Sequence, residues 1–388
     1  MAEIMEQFDA QTTVHEEAFA NALKLPCNSQ DEAGIAERDH GGATQGTQVK
    51  PWVAIGRLVC FFGMIIILAF LMNTAISSGL RQINTSSFGA WNELMQGKIN
   101  ADIIISGSSR ATYHYDPRTI EAATGLSAFN IGRVGTQTDV QVAVLKAYLE
   151  HNRKPKLVIH NLDAFSFVTS REIYDPALYV PYLRDNEIYR PLIEIDPNFA
   201  KSRYLPLYGY VVEDMNFTWV SGLKALAGSS PKQDFYLGFS PRDEKWTDDF
   251  SKFKAGNPKG VRFAIEPAGI QALEELIDVC EKNGIPLVFV YSPEYSGMQQ
   301  LTNNRAEIFA EFHTLASQHH VALWDYSGWS YDGDQDFFYN SQHLNATGAA
   351  LFSNDLATRL KNYLATQSHA SGDLQVSGIA SHGNLDRE

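Results

Sequence analysis

The segment Ala101-Asp-Ile-Ile-Ile-Ser-Gly-Ser-Ser-Arg110 decides the fold. Three consecutive isoleucines, Ile103 to Ile105, read as a strand buried on both faces, because a parallel sheet covered on both sides loses its apolar–polar alternation. The small residues Ser106 to Ser109 let the backbone turn sharply and leave a hydroxyl exposed where the strand ends. Open α/β sheets place their ligands at that carboxyl edge. A helix pattern follows from about Asp116, with Pro117 at a favourable first position. A plain Ser/Gly turn would read the same way, so the rest of the chain carries the weight.

Outward from this segment, strands and helices alternate. Strands are predicted at 102–106, 127–131, 156–160, 286–291 and 321–324. Helices are predicted at about 116–124, 139–152, 267–282, 302–319 and 345–364, the first stopping at Gly125, a natural residue after a helix end. Such alternation implies an α/β fold, here a doubly wound, flavodoxin-like parallel sheet of about five strands. The pattern breaks over 165–262, a stretch rich in Tyr, Phe, Trp and Pro and too long for a plain loop. It reads as a partly helical insertion, either capping a site or adding core.

The chain has 388 residues, 44% hydrophobic and 20% charged, with a formal net charge of −14. That charge argues against a nucleic-acid partner held through phosphates. Residues 1–50 are polar and acidic and read as a disordered tail. From Leu58 to Ile76 the sequence is apolar and uncharged, long enough to cross a bilayer, so 51–78 is predicted as a transmembrane helix. Lys50 and Arg57 precede the span closely, and the next basic residue is Arg81. This bias favours a cytoplasmic amino terminus and an exported domain on a single-pass inner-membrane anchor. Residues 79–100 read as a linker with a short helix near Trp91–Met95. The α/β domain then spans 101–365, and a Ser/Gly-rich tail over 366–388 reads as disordered. Of the three cysteines, only Cys280 lies beyond the span, so no disulfide forms within the exported part.

Four segments fall at predicted strand ends: Gly107-Ser-Ser109; Asn130-Ile-Gly-Arg-Val-Gly-Thr-Gln-Thr138; His160-Asn-Leu-Asp163; and Tyr339-Asn-Ser-Gln-His-Leu-Asn-Ala-Thr-Gly348. A doubly wound sheet would bring them to one edge. In this order they resemble the SGNH, or GDSL-like, hydrolase superfamily, over roughly 100–165 and 265–365. The Gly-Ser-Ser-Arg form and the His-Leu-Asn-x-x-Gly tail are most similar to membrane-anchored bacterial members, including the D-alanyl transfer protein of teichoic acids and the O-acetylation proteins of exopolysaccharides such as alginate. The resemblance implies Ser109 as nucleophile and His343 as base. It implies an oxyanion hole from the N–H groups of Ser109 and Gly135 with the Asn161 amide. It also implies a polysaccharide or other glycan substrate and, as a possible partner, a multi-span membrane acyltransferase.

The residues themselves agree with such chemistry. A serine hydroxyl needs a base to become nucleophilic, and imidazole titrates near neutral pH. Arg110 is a candidate for an anionic substrate group or for a structural carboxylate. The family's aspartate is Asn340 here, which can orient the imidazole but cannot stabilise its charged form. Asp332, Asp334 and Asp336 are candidates for a replacement carboxylate. Asp332-Gly-Asp-Gln-Asp336 also hints at a calcium loop, but Phe337 and His343 occupy the positions that need glycine and glutamate. No cofactor or metal is called for. Two functions follow: an esterase or O-acyltransferase acting on O-acyl groups of an exported glycan, or an accessory protein with an eroded site that binds glycan or a membrane acyltransferase.

Overall fold

The computed structural model describes residues 51–212, 217–229 and 235–380. The tail predicted over 1–50 lies outside them. The chain divides into two compact units, Met1–Ile67 and Leu68–Glu388. Helix α1 (Pro51–Leu80) begins in the first and ends in the second. Over Trp52–Leu80 it is long and apolar enough to cross a membrane, and none of its most apolar window is buried. In the first unit Trp52, Leu58, Val59 and Phe61 are all exposed.

The second unit is built on one five-stranded sheet, with strands β1 (Ile103–Ser106), β2 (Ala128–Asn130), β3 (Leu157–Asn161), β4 (Leu287–Tyr291) and β5 (Ala322–Asp325). Their order is β2-β1-β3-β4-β5, and every neighbouring pair runs parallel. Ile104 stands opposite Phe129 on one side and Val158 on the other. Every residue of β1, β3 and β4 is buried, which is why those strands read as unbroken apolar runs.

Helices follow the strands: α2 (Ser86–Met95) before β1, then α3 (Ser109–His114), α4 (Pro117–Thr124) and α5 (Thr138–His151). After the insertion come α12 (Pro267–Lys282), α13 (Ser296–Leu301), α14 (Arg305–Gln318) and α15 (Ala346–Ala380). Ile103 and Ile105 join a core cluster with Tyr115, Ile120, Phe352, Leu356 and Leu360. Helix α4 packs on α15, and α5 packs on α12.

Three differences from the sequence reading have physical causes. Helix α3 occupies the predicted turn, placing Ser109 at a helix start. All six of its residues are buried, so it leaves no amphipathic period to read. Residues 79–100 are packed rather than a free linker: Leu80, Ile83, Trp91 and Leu94 are buried. Asn92 Nδ2 caps the end of α1, donating to the carbonyls of Leu80 and Ile83 at 2.8 Å each. Helix α15 continues to Ala380, past the predicted start of the tail at 366.

The insertion over 165–262 carries six short helices among the described residues: α6 (Pro176–Tyr179), α7 (Asn186–Ile195), α8 (Ala200–Tyr204), α9 (Tyr208–Val211), α10 (Thr218–Leu226) and α11 (Asp249–Gly256). Between α10 and α11 the chain crosses the carboxyl edge of the sheet. The N–H of Asn130 donates to the Leu237 carbonyl at 2.9 Å, and that of Ser240 to the Thr112 carbonyl at 3.0 Å. Gly238 makes this crossing possible: its φ is +83°, and a Cβ there would lie 1.7 Å from the Asn130 carbonyl oxygen.

Gly238→Ala should therefore lose about 2–5 kcal/mol, combining left-handed strain with overpacking against rigid backbone. Gly125→Ala, at φ +71° with open space around it, should lose only about 1–2 kcal/mol. Denaturant unfolding of the two variants measures the difference.

Candidate active site

Ser109 and His343, 234 positions apart, meet at the carboxyl edge of the sheet. Ser109 Oγ lies 2.7 Å from His343 Nε2. Behind the imidazole, His343 Nδ1 lies 3.0 Å from Asn340 Oδ1. The same oxygen accepts the backbone N–H groups of Gln342 at 3.0 Å and His343 at 2.9 Å. Those two donors fix which end of the amide is oxygen. An oxygen can only accept, so Nδ1 carries the proton and Nε2 is left free to take one from the serine.

The serine is 8% exposed. Ser108 caps α3, its Oγ accepting the Arg110 N–H at 3.2 Å. Ser109 is the first helical residue, where a backbone N–H has no acceptor within the helix. Its amide is thus a donor beside its own hydroxyl.

The imidazole is held between rings. Tyr339 stacks on it with centroids 5.3 Å apart and planes 6° apart, and Tyr113 meets it edge-on at 5.4 Å. Arg242, from the crossing segment of the insertion, lies 4.2 Å over the Tyr113 ring and donates to its hydroxyl. Burial, then the Arg110 and Arg242 charges, hold the imidazole well below its ordinary value, so it is neutral at pH 7.

Arg110 departs from the substrate-binding role weighed for it. It is 2% exposed, pairs with Asp163 at 3.4 Å, donates to the Ser292 carbonyl and lies over the Tyr291 ring. It is a structural cation beneath the serine. Burial pushes the Asp163 carboxyl up, and Arg110 opposes that shift.

Asn161 also departs from its expected role. It is fully buried, its amide donating to the Leu162 carbonyl and to Asp163 Oδ1 at 3.2 Å each, while its oxygen accepts from Tyr115 at 2.7 Å. No donor remains for an oxyanion. Gly135 sits under the Tyr174 ring, where a Cβ would lie 2.2 Å from a ring carbon. The glycine beside α3 is Gly132, whose Cβ would lie 2.7 Å from that of Ala111.

None of Asp332, Asp334 and Asp336 supplies a carboxylate to the imidazole. Asp334 Oδ1 accepts the Asp336 N–H, and the backbone oxygens of Asp332 and Asp336 accept from Ser296 and Asn345.

Several residues of the site carried no sequence signal. His114, fully buried, accepts the Leu344 N–H at Nε2 (3.0 Å) and meets Ser292 Oγ at Nδ1 (2.9 Å). It ties the His343 loop to α3 and to the end of β4. Arg242 comes from the insertion, where nothing marked it out. Tyr113 stands just after one segment singled out in the sequence and Tyr339 opens another, but only their packing on His343 gives them a role.

A cavity of about 160 Å³ borders Thr112, Tyr113, Gly132, Arg133 and Arg242. A larger one, about 750 Å³ between α5, α7 and α12, touches neither Ser109 nor His343. The hydrogen-bonded pair of Ser109 and His343 thus lies away from that larger space. Among the described residues, Glu150, His151 and Asp185 could together face a metal ion, but His151 Nε2 already lies 2.5 Å from Asp185 Oδ2.

Compared with known proteins, the chain matches no family model and no curated protein. The arrangement is a serine hydroxyl on a neutral imidazole oriented by an amide oxygen, suited to nucleophilic attack on an acyl carbon.

A related prediction concerns stability. His160, on β3 and fully buried, is held down to about 3 by burial. Unfolded, it titrates near 6.5. Below that pH the unfolded chain takes up a proton that the folded chain refuses, so stability falls as pH drops from 6.5 toward 3. His160→Gln should reduce the loss of unfolding free energy between pH 7 and pH 5 by about 2 kcal/mol, read from denaturant midpoints at the two pH values.

Proposed function

We propose that this chain is a membrane-anchored serine esterase or O-acyltransferase, built on a doubly wound, flavodoxin-like sheet. It acts on O-acyl groups, acetyl foremost, of an exported glycan. The observation that carries this reading is the line Ser109 Oγ, His343 Nε2, His343 Nδ1, Asn340 Oδ1, with links of 2.7 and 3.0 Å. The strand order and the packing of α4 on α15 and α5 on α12 support the doubly wound arrangement. The apolar helix α1, with Lys50 and Arg57 before its uncharged run Leu58–Ile76 and Arg81 after it, supports a single-pass anchor with the domain outside the cytoplasm. The glycan and the acetyl group rest on the resemblance to SGNH members alone.

In this mechanism Ser109 Oγ attacks the acyl carbonyl while Nε2 of His343 takes its proton. The Ser109 N–H donates to the developing oxyanion. The alcohol leaves with the proton from Nε2, and the acyl group stays on Ser109. Water, or a hydroxyl of a second sugar, then attacks the acyl-serine with His343 again as base. Hydrolysis and transfer differ only in that second acceptor.

Asn340 makes this a slow catalyst rather than an empty site. In serine proteases an Asp-to-Asn change behind the catalytic histidine costs about 10⁴ in turnover because the wrong imidazole tautomer results. Here two backbone N–H groups hold the amide oxygen toward Nδ1, so the tautomer is right. What is missing is a negative charge for the imidazolium, beside Arg110 and Arg242, which both disfavour it. Asn340→Asp keeps the three acceptor contacts and adds that charge. It should raise kcat on an activated acetyl ester by about 10-fold or more, one pKa unit of imidazolium stabilisation being worth a factor of 10.

A fluorophosphonate tests the reading directly. An adduct on Ser109 of the folded protein, absent in Ser109→Ala and much slowed in His343→Gln, is expected. A folded protein that forms no adduct on Ser109 removes the enzyme reading and leaves the accessory one.

A further inference from the structure

The insertion holds apolar surface that the folded body does not cover. Leu205, Val211, Val212, Phe217 and Leu226 are 51%, 71%, 54%, 67% and 47% exposed. Isolated exposed apolar residues are ordinary, but five within one short segment are not. The segment is also fixed in place. Asn73 Oδ1, on α1, accepts the Leu207 N–H at 3.0 Å, and Ser77 Oγ lies 2.8 Å from the Tyr210 hydroxyl. Helix α10 crosses α1 with glycine against glycine: a Cβ on Gly79 would lie 1.8 Å from the Gly222 carbonyl oxygen, and one on Gly222 2.8 Å from that of Ile76. Backbone contact this close needs both glycines and leaves the crossing little freedom.

Just before Asn73, Phe70, Leu71 and Met72 on α1 are themselves exposed and apolar. A helix rises about 1.5 Å per residue, so Phe70 and Asn73 are within about 5 Å along the axis. Leu205, Val211 and Val212 flank Leu207 and Tyr210, the residues held by Asn73 and Ser77, so these exposed residues of the insertion stand near the exposed apolar residues of α1. Tyr204, 64% exposed on α8, is the residue type that favours the boundary between headgroups and acyl chains.

We propose that Leu205, Val211, Val212, Phe217 and Leu226 rest in the lipid of the bilayer beside α1, so that the insertion seats the domain on the membrane surface. This rests on the reading of α1 as a membrane span. The occupant is lipid because the patch extends a surface that lipid covers in that reading. The stretch 201–226 carries Lys201, Arg203 and Lys224 beside Glu213 and Asp214, a near balance of charge, so the proposed attraction is apolar and a neutral lipid serves as its probe.

The full chain is reconstituted in phosphatidylcholine vesicles with an environment-sensitive fluorophore on Val211→Cys or, separately, Phe217→Cys. Cys27 and Cys60 are changed to Ser, and Cys280 is buried with its thiol pushed up to about 12, so it does not label. Leu71→Cys on α1 and Lys361→Cys on the exposed side of α15 serve as references. Labels at 71, 211 and 217 should shift their emission to the blue and be quenched by spin-labelled lipid, while the label at 361 should respond only to a water-phase quencher. Labels at 211 and 217 that behave like 361 while 71 is immersed overturn the proposal and leave the span intact. A label at 71 that also stays in water removes both. Labels shielded in native membranes but not in lipid vesicles overturn the lipid assignment in favour of a membrane-protein partner.

Discussion

Strand β1 hydrogen-bonds on both sides in parallel register, with Ile105 opposite Asn130 of β2 and Ile159 of β3. That constraint organises everything downstream. Parallel neighbours end at the same edge, so the loops after β1, β2, β3 and β4 open together, whatever lies between them in the chain. Ser109, the Gly132 turn, Asp163 and Ser292 are all delivered to one place by strand direction alone. His343 completes the set because α15, whose core residues pack against β1, starts three residues after it. A reversed strand would send its loop to the other end of the sheet.

Beneath Ser109 is a buried polar layer. Arg110, Asp163, Ser292 and His114 link the ends of β1, β3 and β4 to the loop that carries His343. A buried charge is costly unless paired, and removing one partner of such a pair is far costlier than never having had it. The layer therefore acts less as a source of stability than as a constraint on position. Burial first, and then the Arg110 and Arg242 charges, keep the His343 imidazole neutral, able to accept a proton but reluctant to hold one. The same burial that makes a base available makes its charged form expensive.

The insertion serves two places. Its later part crosses the carboxyl edge of the sheet, with Gly238 against the end of β2 and Arg242 over Tyr113. Its middle part grips the last turns of α1 through Leu207, Tyr210 and Gly222. The insertion thus contacts both the site and the apolar helix.

Much of the fold was legible because burial leaves a periodic trace. Five strands, the alternation with helices and the apolar span were read from runs such as Ile103–Ile105 and Leu58–Ile76. Ser109, His343 and Asn340 were legible only through the order of four short motifs that resemble those of SGNH hydrolases, since no periodicity marks them. What the sequence could not determine was which polar side chains face the reacting serine and which face inward. Arg110 and Asn161 look available in one dimension, yet both are spent on buried partners, Arg110 on Asp163 and Ser292, 53 and 182 positions away, and Asn161 on Tyr115, 46 positions away, besides its own neighbours Leu162 and Asp163. Helix α3 was hidden because a helix buried on all sides has no period. Arg242 was hidden because its ring partner, Tyr113, lies 129 positions from it. The sequence by itself determined the strand–helix alternation and the apolar span, since both follow from local pattern and residue chemistry. The tertiary structure alone decided that Ser109 and His343 meet, which charges surround the imidazole and how the insertion is used, because these depend on contacts between segments that no local pattern records.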